Sequence, residues 1–325
     1  MSARDAGLGA APPRLRPGDQ LGVIAPSGPP AKAALADGLD ALAGVFRVRV
    51  AASALAPSPP PFAPYLAADD ARRADETNAM IADPDVRAIV LARGGYGLLR
   101  ILPLLDAAAL RADPKPIVGF SDGTALLSWA LRAGVRGIHG PVAVRLGGAR
   151  AEAMGELVRA LTDPTPLGEL PWALRGSAAP TDAASPEVIA PMVPCNLVMA
   201  CHLLATPWQL PADGTAWWIE EVGERPYELD RALTQLELAG QTRRLAGVVV
   251  GELVRCMEPP PGPEERDDPS AALAVVEERL RHVEARYLVG GTFGHGRRNP
   301  PLPFGGRCRL DLAAGAAEIL DGAVA

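Results

Sequence analysis

Short apolar runs alternate with longer segments whose apolar positions recur every three to four residues through the first 160 or so residues. The runs at 20–25, 46–50, 86–92, 117–120 and 137–139 predict strands. The periodic segments at 31–43, 69–82, 98–105, 125–133 and 151–161 predict helices. Asp83-Pro84 stops the second of these helices, because the residue before a proline is pushed out of the helical region. Strand and helix in alternation predict an α/β fold with a doubly wound, mostly parallel sheet. Ligands of such sheets bind at the carboxyl ends of the strands. Residues 1–13 carry no periodic pattern and read as a tail.

From 162 to 191 the pattern lapses into Pro, Ser, Thr, Gly and Ala, which predicts a linker. Periodicity then returns. Helices are predicted at 196–205, 227–239 and 270–283, the last capped by Ser270. Strands are predicted at 216–222, 245–251 and 287–289, with a closing hairpin over 307–312 and 317–320. A Pro- and acid-rich loop spans 257–268. The expected organisation is an N-terminal domain over 14–162, a linker over 163–191 and a smaller mixed α/β domain over 192–325. A chain of 325 residues fits two domains better than one core.

Composition narrows the function. The net charge is −6 and no Lys/Arg run stands out, which argues against a nucleic-acid partner. No apolar run has the length of a membrane span, and the first residues lack the pattern of a secretory signal, so a cytoplasmic protein is expected. The four cysteines, Cys195, Cys201, Cys256 and Cys308, form no C-x-x-C pair. They read as buried thiols in a reducing compartment, and no metal site is expected.

The candidate chemistry starts at Gly119-Phe120-Ser121-Asp122-Gly123, between a predicted strand and a predicted helix. Strand, sharp turn and helix around a serine is the setting of a nucleophile elbow; the same residues also suit a plain turn and helix cap. Arg93-Gly94-Gly95-Tyr96-Gly97 follows another strand. Its backbone N–H groups suit an anion, a second oxyanion donor beside Ser121, or simply a tight turn. Arg93, at the end of that strand, is a candidate clamp for a substrate carboxylate. A serine nucleophile needs a base, and the base an orienting acid. Among the four histidines, His202 and His282 fall inside helices. His139 lies at a strand end in the same domain as Ser121, and His295 lies between two glycines in a loop. His139 and His295 both remain candidates on this ground, with Glu220, Glu221 or Glu224 as the acid. Consecutive residues of a strand face opposite ways, so one of Glu220 and Glu221 is expected inside.

Six ordered stretches, RPGDQLGVIAPSG, ARGGYG, VGFSDGT, HGP, WIEEVGERPYELDRAL and GHGRRNPPLPFG, resemble the LD-carboxypeptidase family of serine peptidases from about Arg14 to Leu312. That family includes muramoyl-tetrapeptide LD-carboxypeptidases and microcin C immunity-type hydrolases. The resemblance implies a Rossmann-like N-terminal domain and a smaller C-terminal domain. It implies a triad of Ser121, Glu220 and His295 drawn from both domains, with His139 outside it and Glu221 where the family usually has aspartate. It also implies an oxyanion hole from the N–H of Asp122 and of the Gly94-Gly95 turn, no cofactor, and a homodimer. Arg93, Tyr96 and Asn196 are the residues expected to meet substrate. The implied substrate is a small peptide: murein tetrapeptide, losing its terminal D-alanine, or a peptidyl-nucleotide. For the latter, Trp172 and the Trp217-Trp218 pair are candidate platforms. One departure stands out: Pro194-Cys195-Asn196 occupies the place of a usual Gly-Gly-Asn turn. An α/β-hydrolase esterase and a binding protein with a disabled site are the rival classes. The esterase reading lacks the upstream His-Gly-Gly-Gly-type motif.

Overall fold

The structure, a computed structural model, describes residues 7–147, 151–176, 185–258 and 267–325. Along the chain the elements are β1 (Gln20–Ile24), α1 (Lys32–Ala43), β2 (Arg47–Val50), α2 (Ala52–Leu55), α3 (Asp70–Ala82), β3 (Val86–Leu91), α4 (Leu98–Ile101), α5 (Ala107–Ala112), β4 (Ile117–Gly119), α6 (Gly123–Arg132), β5 (Gly137–His139) and α7 (Ala151–Thr162). Then come β6 (Gly168–Glu169), β7 (Arg175–Gly176), β8 (Glu187–Asn196), α8 (Leu197–His202), β9 (Ala216–Val222), α9 (Pro226–Leu238), β10 (Gly247–Val254), α10 (Ser270–His282), β11 (Tyr287–Val289), β12 (Leu302–Phe304), β13 (Arg307–Asp311) and β14 (Ala316–Ile319).

The chain divides into two compact units. One is built on Leu8–Thr165, with Pro300–Gly305 and Gly322–Ala325 added from the far end of the chain. Its sheet has the order β2-β1-β3-β4-β5-β12, parallel except for β12, which runs antiparallel to β5. β3 carries a run of Ala, Ile, Val and Leu because both of its faces are covered; Ala88 to Leu91 are fully buried. Asp69 caps α3 through a bond from the Arg72 N–H, and Asp106 caps α5. The second unit holds Pro166–Asn299 and Gly306–Asp321. Its sheet has the order β6-β14-β13-β8-β9-β10-β11-β7. The stretch β8-β9-β10-β11 is parallel and the remaining pairs are antiparallel. The α/β class and the mostly parallel first sheet are as expected from the alternating pattern.

Several boundaries differ from the expectation. The 163–191 stretch read as linker is built into the second sheet through β6, β7 and the first half of β8, and the Leu170 N–H bonds the Ala317 carbonyl; its residues 177–184 lie outside the described ones. Two-residue strands carry no period to read, and Pro191 and Pro194 mask β8. Residues 187–191 of β8 pair with β13 and residues 192–196 with β9. Each half thus has a ladder on one side, where prolines are tolerated as at a sheet edge. Within the stretch read as a tail, Leu8 bonds Gly305 and Ala10 bonds Gly134; residues 1–6 lie outside the described ones, as do 259–266 of the acid-rich loop. The segment 98–105 is one α-turn followed by a 3-10 turn, and α5 and β12 were not expected. Ser270 is the first residue of α10 and makes no cap. Pro269 holds the cap position, and Asp268 accepts the Ser270 N–H.

Candidate active site

In the first unit the predicted strand, sharp turn and helix around Ser121 are present. Ser121 lies in the turn between β4 and α6 with a φ of 62°, a left-handed backbone that costs a non-glycine residue energy. The turn closes through bonds from Gly123 N–H to the Phe120 carbonyl and from Thr124 N–H to the Ser121 carbonyl. The Asp122 N–H lies at the start of α6, where the helix dipole favours negative charge. Gly94 packs directly on the serine: a Cβ there would sit 3.1 Å from the Ser121 Cβ and 3.3 Å from its Oγ. Gly95 and Gly97 have φ of 114° and 129°, so this loop requires glycine at both positions. Ser121, Asp122 and the Gly94-Gly95 turn are therefore neighbours at the carboxyl ends of β3 and β4.

The other residues singled out in this unit fall into two groups. Arg93 is exposed, and its Nη1 donates to the Pro29 carbonyl at 2.8 Å. Tyr96 is half exposed and meets Tyr65 edge to face, with ring centroids 5.7 Å apart. His139 is fully buried against the edge of Phe120, consistent with a packing role.

In the second unit, Glu220 and His295 meet. Glu220 Oε2 lies 2.5 Å from His295 Nδ1; the carboxylate is fully buried and the imidazole is mostly so. A buried carboxylate needs such a partner. The bond at Nδ1 fixes how the imidazole is turned. The glycines beside His295 turn out to have a packing reason. A Cβ on Gly294, whose φ is 114°, would sit 2.6 Å from Glu220 Oε2. A Cβ on Gly296 would sit 2.1 Å from Glu252 Oε1. The loop is pressed between two carboxyl groups. Two residues missed in the sequence hold it. Asn299 Oδ1 accepts from Gly294 N–H at 3.0 Å, and Glu252 Oε2 accepts from Gly296 N–H at 3.1 Å. Asn299 is within the GHGRRN run; Glu252 carries no local signal, because only the bulge in β10 brings it to the loop.

Glu220 and Glu221 are both buried, not one of the two. β9 is covered on both faces, so neither side is wet. Glu221 accepts from Asn196 Nδ2 at 2.7 Å and from the Val198 and Val222 N–H groups. Burial first, then the Glu220 charge, push its carboxyl up to about 7 against those three donors. Asn196 is buried and doubly used, since its Oδ1 also caps α8 through Met199 N–H. Pro194 and Cys195 stand in β8 opposite Trp218 and Ile219. The four thiols are unbridged and buried. Burial raises all of them: Cys201, Cys256 and Cys308 are pushed up to about 12. His202 and His282 are exposed, His282 beside Glu237, and Glu224 is half-buried. Trp217 and Trp218 are core residues; Trp172 stacks on Phe293 at 5.7 Å. Among the described residues no cluster of His, Cys, Asp and Glu has the makings of a metal site, and no helix is long and apolar enough to cross a membrane.

Residues 21–140 match the LD-carboxypeptidase N-terminal domain and residues 190–310 the LD-carboxypeptidase C-terminal domain. A Streptomyces coelicolor protein named as a carboxypeptidase is 36% identical over 322 residues, covering 95% of each chain. The murein tetrapeptide carboxypeptidase of Pseudomonas aeruginosa is 29% identical over 246 residues, 74% of this chain and 78% of its own. Among solved structures, the microcin C7 self-immunity protein MccF superposes with a TM-score of 0.81 at 19% identity, covering 97% of this chain and 100% of its own. The muramoyltetrapeptide carboxypeptidase of Oxalobacter formigenes gives 0.75 at 25% identity, covering 93% and 98%. With both domains matched and near-complete coverage, this chain belongs to the LD-carboxypeptidase family.

Proposed function

We propose that the chain is a cofactor-free serine carboxypeptidase that removes the terminal D-alanine of murein tetrapeptide across an L,D-amide bond, a cytoplasmic step of cell-wall recycling. The observation that carries the serine reading is the left-handed backbone of Ser121 at the strand-to-helix turn, with Gly94 against its side chain. In this reading the Ser121 Oγ attacks the amide carbonyl and its proton passes to His295 Nε2, while Glu220 holds Nδ1. The N–H groups of Asp122 and of the Gly94-Gly95 turn bind the oxyanion. Collapse expels D-alanine with the proton from the imidazolium, and water then cleaves the acyl-enzyme by the same route in reverse. The substrate assignment rests on the murein tetrapeptide carboxypeptidase relatives.

A second substrate class is favoured by one feature. Trp172 stacks on Phe293 while remaining only half-buried, which leaves aromatic surface for a nucleobase. Mass spectrometry of the purified protein with murein tetrapeptide and, in parallel, a peptidyl-adenylate separates the two. The expected result is D-alanine release by the wild type and a loss of at least about 10⁴-fold in Ser121→Ala. Turnover of the adenylate alone moves the substrate to the peptidyl-nucleotide class. Equal turnover by the variant removes Ser121 from the role of nucleophile.

A further inference from the structure

Asp122 occupies the N-cap position of α6, yet its side chain makes no capping bond to that helix. Its Oδ2 instead accepts from Ser27 Oγ at 2.6 Å and from the Leu98 N–H at 3.0 Å, so it caps the start of α4. Ser27 lies in the loop after β1, and Leu98 closes the Gly-rich loop after β3. A second buried charge grips the same two loops one residue away on each. Arg73, on α3 and 1% exposed, donates to the Pro26 carbonyl and, at 3.1 Å, to the Gly97 carbonyl; its Nε donates to Ala68. Gly97 must be glycine here, because a Cβ would lie 2.8 Å from Arg73 Nη1. The two loops are also tied directly, Gly28 N–H to Gly94 carbonyl at 3.2 Å, and Gly94 is the residue packed on Ser121.

We infer that the Asp122 carboxylate and the Arg73 guanidinium form a two-sided clamp that positions the Gly94-Gly95 turn as an oxyanion donor beside Ser121. Both are positioning groups, and Asp122 thereby serves both halves of the hole: its own N–H is one donor, and its carboxylate sets the other through Ser27 and Leu98. Two buried opposite charges are costly to hold unless their donors and acceptors are used: Arg73 Nη2 pairs with Asp70 Oδ1 at 2.5 Å, and its Nη1, like the Asp122 carboxylate, bonds the two loops, so Arg73 and Asp122 are not spent on each other. An oxyanion donor works only when it sits near 3 Å from where the charge develops, so the loop must be fixed before substrate arrives. The inference rests on the serine-peptidase reading above.

The test uses the full chain with Ser27→Ala and Asp122→Asn, each compared with wild type and Ser121→Ala. Ser27→Ala removes one strut of the clamp without charge change and keeps the experiment interpretable if Asp122→Asn fails to fold. D-alanine release from murein tetrapeptide is expected to show kcat lowered about 10- to 100-fold in Ser27→Ala with KM within about twofold, since a displaced donor weakens the transition state and not the ground state. A purely structural role would lower the melting temperature and leave kcat of the folded protein unchanged. Wild-type kcat in Ser27→Ala, or a rise in KM alone, overturns the clamp. Persistent turnover by Ser121→Ala overturns the serine reading instead. If the wild type releases no D-alanine, the substrate assignment falls. The same variants are then read by the rate at which a fluorophosphonate labels Ser121: equal labelling of wild type and Ser27→Ala overturns the clamp, and no labelling of wild type overturns the serine reading.

Discussion

Glu220 and Glu221 are adjacent residues with different tasks. Glu220 meets an imidazole on one face of β9, and Glu221 meets the first turn of α8 on the other. The Glu221 carboxyl titrates near 7 when folded, against an ordinary value of 4.5. Between those values the folded protein holds a proton that the unfolded chain has released. Stability from this group is therefore lost as pH rises through that window, at up to about 1.4 kcal/mol per pH unit. Denaturant melts of wild type and Glu221→Gln from pH 4 to pH 8 should diverge in slope across it, the wild type falling more steeply. Parallel curves would show that Glu221 stays ionised on its three donors. At this scale the sequence was informative about which residue types gather. It was uninformative about Glu252, which accepts an N–H of a loop more than forty residues further along the chain, and it marked no role for Asn299, which accepts an N–H from within its own loop.

Among the elements, α1 shows how packing reverses a local preference. In a helix interior, alanine is favoured over glycine by about 1 kcal/mol. Gly38 is in mid-helix, but a Cβ there would lie 1.9 Å from the Ala143 carbonyl oxygen, in the 3-10 turn that packs on α1. Backbone on both sides leaves nothing flexible to yield. Gly38→Ala is expected to destabilise the protein by about 1–3 kcal/mol, read as a lower denaturation midpoint. A midpoint raised by the substitution would show that α1 shifts freely. β8 makes the same point for strands. Two prolines argue against a central strand, yet the partner changes from β13 to β9 midway, and each half needs a ladder on one side only.

At the scale of the whole molecule, the units are not cut from the chain in two pieces. Pro300–Gly305 returns to the first unit, where Leu302 and Phe304 are fully buried and β12 covers the edge of β5. The carbonyl of Ala325 accepts from Arg14 N–H, and the Ala325 N–H bonds Pro12. A chain ending at Thr165 lacks all of this and exposes a strand edge prone to pairing with other molecules. It is expected to aggregate or to melt well below the full chain, as judged by size-exclusion chromatography and circular dichroism. A soluble monomer as stable as the intact protein would show that β12 is dispensable.

The amino-acid sequence alone carries what is written in local periodicity and turn chemistry. It held the alternating strands and helices of the first unit, the elbow at Ser121, the Gly-rich loop after β3, the β9 acids and the glycine-flanked histidine. Each of these depends on neighbours within a few residues, where backbone sterics act directly. Long-range packing settled which carboxylate meets His295, why Gly294 and Gly296 cannot carry a Cβ, and that the Asp122 side chain caps α4. It also decided that the stretch read as linker is sheet and that β12 joins the first unit. Those outcomes depend on groups tens to hundreds of residues apart, whose encounter is set by packing and by the cost of leaving a buried polar group without a partner.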